Sequence, residues 1–276
     1  MSDASFGLPD IQHLTSDISL FMNEGPVLYT VEGAVALLTL NRPEKRNALN
    51  DALVGGLKEA LRDADAREEV RAVLVTGAGA DFCSGADLSA LRKISEGSVG
   101  DNLEDARSLM ELYALIRRVR VPVVAAVRGR ALAGGCGLAT ACDIVLAAAS
   151  ARFGYPEVKI GFVPAMVMAI LRRNVPEKRA FELVTRGAEI SAAEAERAGL
   201  VNHVYEDEEF ESRVERYVAD FERVSRTAVA LTKRLLYQMD GLTFDAALQT
   251  GADLNAIARM TEDCRAGVAR FLSKTK

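Results

Sequence analysis

The run Arg130-Ala131-Leu132-Ala133-Gly134-Gly135-Cys136-Gly137-Leu138-Ala139 decides how the rest of the chain is read. Upstream of it, Pro122-Val123-Val124-Ala125-Ala126-Val127 is a continuous apolar stretch with the length of a buried strand. Downstream, Thr140-Ala141-Cys142-Asp143 completes a helix-length segment of small residues. The order is strand, loop, helix. Gly134, Gly135 and Gly137 at a helix start let a ligand approach the backbone closely. They also leave amide N–H groups facing out of the helix end, where an anion or a developing oxyanion is stabilised. The same glycines equally suit a helix packed tightly on a sheet, and the run alone does not choose between the two.

A second glycine-rich turn lies upstream, where the β-branched stretch Ala72-Val73-Leu74-Val75-Thr76 runs into Gly77-Ala78-Gly79-Ala80-Asp81-Phe82-Cys83-Ser84-Gly85-Ala86-Asp87-Leu88. Phe82 stands where the third glycine of a dinucleotide fingerprint belongs, and no Lys-Ser/Thr pair follows to make a phosphate loop. Ser84 lies outside a Gly-x-Ser-x-Gly elbow and has no histidine partner nearby in sequence, which argues against a serine hydrolase.

Taken together, four stretches carry a family resemblance: Asn41 to Asn50, Ser84 to Leu88, the opening run through Cys142-Asp143, and Phe153-Gly154-Tyr155-Pro156-Glu157-Val158-Lys159-Ile160-Gly161. In that order the sequence resembles the crotonase family, also called the enoyl-CoA hydratase/isomerase family, from about residue 27 to residue 276. The resemblance implies a mixed α/β fold: an N-terminal extension over residues 1–26, a spiral of ββα units over 27–205, and a C-terminal helical region over 206–276. That last region packs against other subunits in homotrimers or dimers of trimers. The substrate implied is an acyl-CoA thioester, with coenzyme A part of the substrate and no separate cofactor.

The residue roles come from the same resemblance. Ala86 and Gly134 match the two backbone N–H donors that hold the thioester oxygen, and Glu157 matches the proton-carrying glutamate. Lys45, Arg46 and Ala48 match the region around the coenzyme A nucleotide, where cations favour phosphate, with Asp87 and Leu88 beside them. Phe271 and Lys274 match a C-terminal pair that reaches a neighbour's nucleotide. One departure stands out. Two-carboxylate hydratases carry a glutamate where this chain has Gly137. Hydration is most simply shared between two acid/base groups, whereas moving a double bond needs one group that takes a proton from C2 and returns it at C4. Isomerisation is therefore slightly favoured. The alternatives are a hydratase with its second acid elsewhere (Asp87, Asp143 or Glu111), a 3-hydroxyacyl-CoA hydrolase, and a non-catalytic acyl-CoA-binding protein. Against the hydrolase, Ala165 stands where those enzymes carry an acid after the Gly-Phe-Val-Pro stretch. Gly137→Glu is expected to raise hydration, provided that the loop tolerates a side chain.

Composition agrees. A net charge of −5, with acidic and basic residues intermixed, leaves no basic surface for nucleic acid. Cys83, Cys136, Cys142 and Cys264 form no CxxC pair, and His13 and His203 do not complete a zinc site with them. No metal is expected, and the cysteines read as reduced thiols of a cytoplasmic protein, Cys83 and Cys136 as small packing residues. The first 26 residues carry Asp3, Asp10, Asp17 and Glu24 and resemble neither a transit nor a signal peptide. No apolar run reaches the ~20 residues of a membrane span.

Along the chain, Val27–Glu32 and Val35–Leu40 read as a hairpin through Gly33-Ala34. Asn50 reads as the cap of a helix with Leu53, Leu57, Ala60, Leu61 and Ala64 on one face. Ala106, Leu109, Met110, Tyr113 and Ile116 mark the core stripe of another. Asp143 is expected to pair at a helix end. Ser191 and Glu194 form a capping box, Val214, Tyr217, Val218 and Phe221 mark a further helix, and Thr261 caps a last one.

Overall fold

The computed structural model describes residues 25–274, without the Lys274 side chain. The expectations for residues 1–24, His13 among them, and for Lys274 as a ligand contact lie outside the described residues. Strand β1 (Val27–Glu32) turns back into β2 (Val35–Leu40), the antiparallel hairpin expected, with Val27 opposite Leu40. Asn50 then caps α1 (Asp51–Ala66), its side chain accepting the Leu53 N–H at 2.9 Å, and all five apolar positions of that helix are buried.

Strand β3 (Ala72–Gly77) is followed by α2 (Leu88–Glu96) and α3 (Val99–Arg118). The buried residues of α3 are Leu112, Tyr113 and Ile116, while Met110 is 49% exposed. This corrects the expected stripe. Positions 109, 112, 113 and 116 keep the i, i+3, i+4, i+7 spacing of one helix face, and Met110 falls on its flank.

Next come β4 (Val123–Val127), β5 (Arg130–Leu132), α4 (Gly134–Ala141), β6 (Ile144–Ala148) and β7 (Arg152–Gly154). They lead into α5 (Ala165–Asn174), α6 (Glu177–Arg186), β8 (Glu189–Ser191), α7 (Ala192–Ala198) and β9 (His203–Tyr205). Only helices follow: α8 (Phe210–Ala219), α9 (Arg226–Gln238), α10 (Phe244–Arg259) and α11 (Glu262–Lys274). The Ser191–Glu194 capping box forms in both directions, and Thr261 accepts from Cys264 N at 3.3 Å as a cap should. Helix α8 ends at Ala219, so Phe221 belongs to the turn after it.

The strands make two sheets. The larger has the order β1-β2-β3-β4-β6-β9, parallel throughout apart from the first hairpin, and the smaller the order β5-β7-β8. Every residue of β4 is buried, as expected of an interior parallel strand covered on both faces. Alternation sorts the residues: Val73, Val75, Val123 and Ala125 join the core against α1, α3 and α4, while Leu74, Val124 and Ala126 pack with Phe210, Val214 and Val218 of α8. Helix α8 thus closes the second face of the sheet.

Helix α9 is anchored by a buried charge. Lys233 Nζ donates to Asp143 at 2.6 Å and to the carbonyls of Ile116 and Val121 at 2.9 and 3.0 Å. Asp143 also accepts from Val123 N at 2.7 Å and from the Tyr237 hydroxyl at 2.6 Å, so it pairs at the end of α4 as expected. Burial pulls the lysine below its usual range while Asp143 pulls it back up.

Candidate active site

Two short bridges bring the glycine-rich loops together. Cys83 pairs with Ala131 in parallel, and Leu49 with Ala86. Gly85 lies so close to the second loop that a Cβ there would stand 2.9 Å from Ala133 Cβ, and its φ of +100° is one that side-chain-bearing residues rarely adopt. Residues 85–86 and 133–134 are therefore neighbours. Around them the amides are committed: Leu49 N donates to Gly85 O at 2.7 Å, Asp87 N to Leu49 O at 2.9 Å, and Ala133 N to Gly154 O at 2.9 Å. The N–H groups of Ala86 and Gly134 have no acceptor among the described residues. The position before Gly134 is strained, since Ala133 has φ 48° and ψ −126°, and strain of this kind concentrates at functional sites.

The packing reading of the glycine run holds for two of its residues. A Cβ on Gly135 would stand 2.3 Å from Cys83 O, and one on Gly137 would stand 2.5 Å from both the Tyr113 hydroxyl and Val167 Cγ1. Those two are packing glycines. At Gly134 the nearest atom to a Cβ would be the tip of Leu49, at 3.0 Å, a flexible side-chain end rather than backbone.

Glu157 reaches the same place through the smaller sheet. Parallel pairing sets Leu132 opposite Gly154, and Glu157 follows in the 3-10 turn Pro156–Ile160. Its Oε2 is buried without a hydrogen-bond partner. Desolvation raises its pKa above the ordinary carboxylate range, partly countered by its own backbone amide. A buried, unpaired carboxylate oxygen is unfavourable for folding, and perturbed acids of this kind are enriched where protons move. The charge of Glu157 acts on Tyr113 and Cys136, which places these groups around it. Burial pushes the thiols of Cys83 and Cys136 up to about 12, so they stay protonated packing residues.

The loop after β2 is held by residues that sequence reasoning quoted without assigning a task. Asn47, fully buried, donates to Ala78 O and Asp81 O at 2.9 and 2.8 Å, and accepts from Arg42 N at 2.9 Å. Arg42 donates to Ala48 O and to Asp87, both at 2.5 Å. Ala48 is buried, and Lys45 and Arg46 are exposed beside it. Asp87 caps α2 through Ser89 N, and that bond together with Arg42 holds its carboxyl down to about 2. Its carboxylate and its N–H are thus both taken up by the loop. Leu88 is 82% exposed at the start of α2, and Phe271 is exposed on α11. No group of three or more His, Cys, Asp and Glu side chains gathers as a metal site among the described residues.

A model of the enoyl-CoA hydratase/isomerase family matches residues 30–276. The chain belongs to that family. A Thermus thermophilus protein, named provisionally as an enoyl-CoA hydratase, is 40% identical over 88% of this chain and 96% of its own length. The 2,3-dehydroadipyl-CoA hydratase of Escherichia coli is 35% identical over 87% of this chain and 92% of its own. An enoyl-CoA hydratase structure from Mycobacterium smegmatis superposes with a TM-score of 0.87 at 33% identity, covering 91% of this chain and 97% of that one. The protein is accordingly an acyl-CoA-processing enzyme of the hydratase/isomerase family with the crotonase fold and C-terminal helices.

Within this enoyl-CoA hydratase/isomerase scaffold, each candidate for a second acid has a charged partner of its own, Asp87 with Arg42. Asp143 is bound to Lys233, and Glu111 is an exposed helix residue paired with Lys58 at 3.3 Å. The proviso on a glutamate at 137, that the loop tolerates a side chain, meets an obstacle, because even a methyl there would stand 2.5 Å from Tyr113 and Val167 unless they shift. Gly137→Ala is expected to lose about 1–3 kcal/mol of stability by overpacking, read as a lower urea midpoint. A midpoint equal to wild type would show that α3 and α5 yield freely there. Gly137→Glu is expected to lose more and to gain no hydratase activity.

Proposed function

We infer that the enzyme stabilises a thioester enolate between the Ala86 and Gly134 amides and moves the proton through Glu157, favouring isomerisation of 3-enoyl-CoA to 2-enoyl-CoA. The observation that carries the reading is the buried, unpartnered Oε2 of Glu157, on the segment that pairing of Leu132 with Gly154 sets beside the Ala133–Gly134 loop. The Glu157 carboxylate removes the C2 proton, and the electron pair delocalises onto the thioester oxygen, where two N–H donors meet it. The resulting carboxylic acid returns the proton at C4, which leaves the double bond between C2 and C3 and restores the carboxylate. One acid completes that cycle. Lys45, Arg46 and Ala48 border the expected place of the coenzyme A nucleotide, with Leu88 beside them.

Hydration of 2-enoyl-CoA is the second reading, favoured by the names of the Thermus and Escherichia coli relatives. Product analysis with 3-enoyl-CoA and 2-enoyl-CoA in parallel separates them. Conversion of the first to 2-enoyl-CoA without 3-hydroxyacyl-CoA supports isomerisation, and rapid 3-hydroxyacyl-CoA from the second overturns it.

The same reading includes a homotrimer or a dimer of trimers. Leu236, Leu248, Ile257 and Leu272, on α9 to α11, and Met260 at the C-cap of α10 are each more than half exposed in the single chain, apolar residues available to a subunit interface. Light scattering is expected to give three or six times the 29.7 kDa chain mass, and a monomeric mass would remove the assembly from the reading.

A further inference from the structure

The start of α4 has one local tie, the Gly137 N–H donated to the Ala133 carbonyl at 2.9 Å. Ala133 offers no capping side chain and is strained, and the first two helical residues are Gly134 and Gly135, poor helix formers. Yet the Ala133–Gly134 peptide carries one of the two N–H groups on which the proposed chemistry depends. It is pinned from both sides instead. On one side Ala133 N donates to Gly154 O at 2.9 Å, and on the other the Tyr113 hydroxyl, reaching from α3, donates to Gly134 O at 2.9 Å. The N–H between those two anchors stays unpaired.

We propose that Tyr113 is a positioning residue of the active site: its phenol, bonded to the Gly134 carbonyl, fixes the first turn of α4 so that the Gly134 N–H points at the thioester oxygen. This rests on the enolate reading above. Packing alone does not require the hydroxyl, since a phenylalanine ring fills the same volume. Tyr113 is only 4% exposed, so the oxygen has to be satisfied inside the protein, and the group that satisfies it is the carbonyl of the catalytic turn. The titratable groups that bear on it are Cys83, Cys136 and Glu157, and with burial they push the phenol well above the usual tyrosine range. At neutral pH it therefore keeps its proton and remains a donor. A side chain that keeps its proton holds geometry; it does not carry the proton being moved.

The test uses Tyr113→Phe in the full chain. Acetoacetyl-CoA serves as the probe because its enolate absorbs in the near ultraviolet, so the fraction of bound thioester held as enolate is read directly. In Tyr113→Phe the bound enolate fraction is expected to fall, and kcat to fall on the order of 10- to 100-fold with KM nearly unchanged, as expected when a catalytic group is slightly misplaced. The Glu157 limb of the pH–rate profile is expected to stay in place. Gly137→Ala is a second variant, since its new methyl, 2.5 Å from the hydroxyl, pushes the phenol off Gly134 without deleting it. It is expected to lose enolate signal as well. Wild-type enolate fraction and kcat in folded Tyr113→Phe overturn the proposal, even if the variant melts earlier. Loss of a pH limb also overturns it, because Tyr113 then carries a proton. If wild type gives no enolate band and turns over neither enoyl-CoA, the functional reading itself fails, a result distinct from any effect of the variant.

Discussion

Glu157→Gln is expected to lower kcat by about 10²–10⁴-fold, the range for loss of a general acid/base, with KM for the thioester close to wild type. Glutamine keeps the size of the side chain and removes its ability to carry a proton. A parallel loss in kcat and kcat/KM is the signature of a group that acts in the transition state. The pH dependence gives a second readout. Desolvation holds the Glu157 proton on to higher pH than in an ordinary glutamate, so the wild-type isomerisation rate rises with pH through a midpoint above the usual glutamate range. The glutamine variant lacks that limb. Stability moves the other way. In the unfolded chain Glu157 ionises at its ordinary value and in the folded enzyme later, so its ionised form weighs against folding as pH rises through both values. Glu157→Gln is therefore expected to melt above wild type at neutral pH, and the difference to vanish once the pH falls below the unfolded-chain value. Near-normal turnover by the folded variant would remove Glu157 from the mechanism.

Lys233→Met is expected to cost about 3–5 kcal/mol of stability, because removing one partner of a buried ion pair leaves the other charge uncompensated. Asp143 keeps the Val123 amide and the Tyr237 hydroxyl, while the carbonyls of Ile116 and Val121 lose their donor. The methionine fills the space left by the lysine stem and restores none of those bonds. Urea unfolding followed by circular dichroism reads the effect as a lower midpoint with unchanged slope. An unchanged midpoint would mean that α9 is held by its other contacts, among them Arg226 on the carbonyls of Val70, Asp65 and Arg67. Changing Asp143 to leucine in the same chain is expected to recover part of the loss, since no unpaired charge then remains buried.

How much of this was legible in the sequence follows from distance along the chain. The β1–β2 hairpin, the Asn50 cap, the Ser191–Glu194 box and the strand, loop and helix around Gly134 were legible because each rests on residues a few positions apart. Helix α2 was not singled out, although Leu88, Leu91 and Ile94 recur along it, because it spans only nine residues and buries none of them fully. Asp143 was expected to pair, but its partner lies 90 residues away on α9, and nothing local names Lys233. The tie from Arg42 to Asp87 spans 45 residues in the same way. At the site, Ala86, Gly134 and Glu157 were visible through family resemblance, and the structure brings their segments together. Tyr113 was read as one more core position on α3. Its hydroxyl matters for an acceptor 21 residues away, and helical periodicity carries no information about a polar atom at the end of a buried ring.

The contact between Tyr113 and Gly137 also constrains where this lineage can go. An acid cannot enter at 137 by one change, because the phenol on α3 already occupies the space that the side chain would need. A smaller residue at 113 alone would first open a void and release the turn that carries Gly134. Either order of substitution therefore crosses an intermediate worse than both ends, a valley that selection resists. The pair behaves as a latch on the enzyme's chemistry. Room for a side chain at 137 requires α4 to change together with both of its neighbours, Tyr113 on α3 and Val167 on α5.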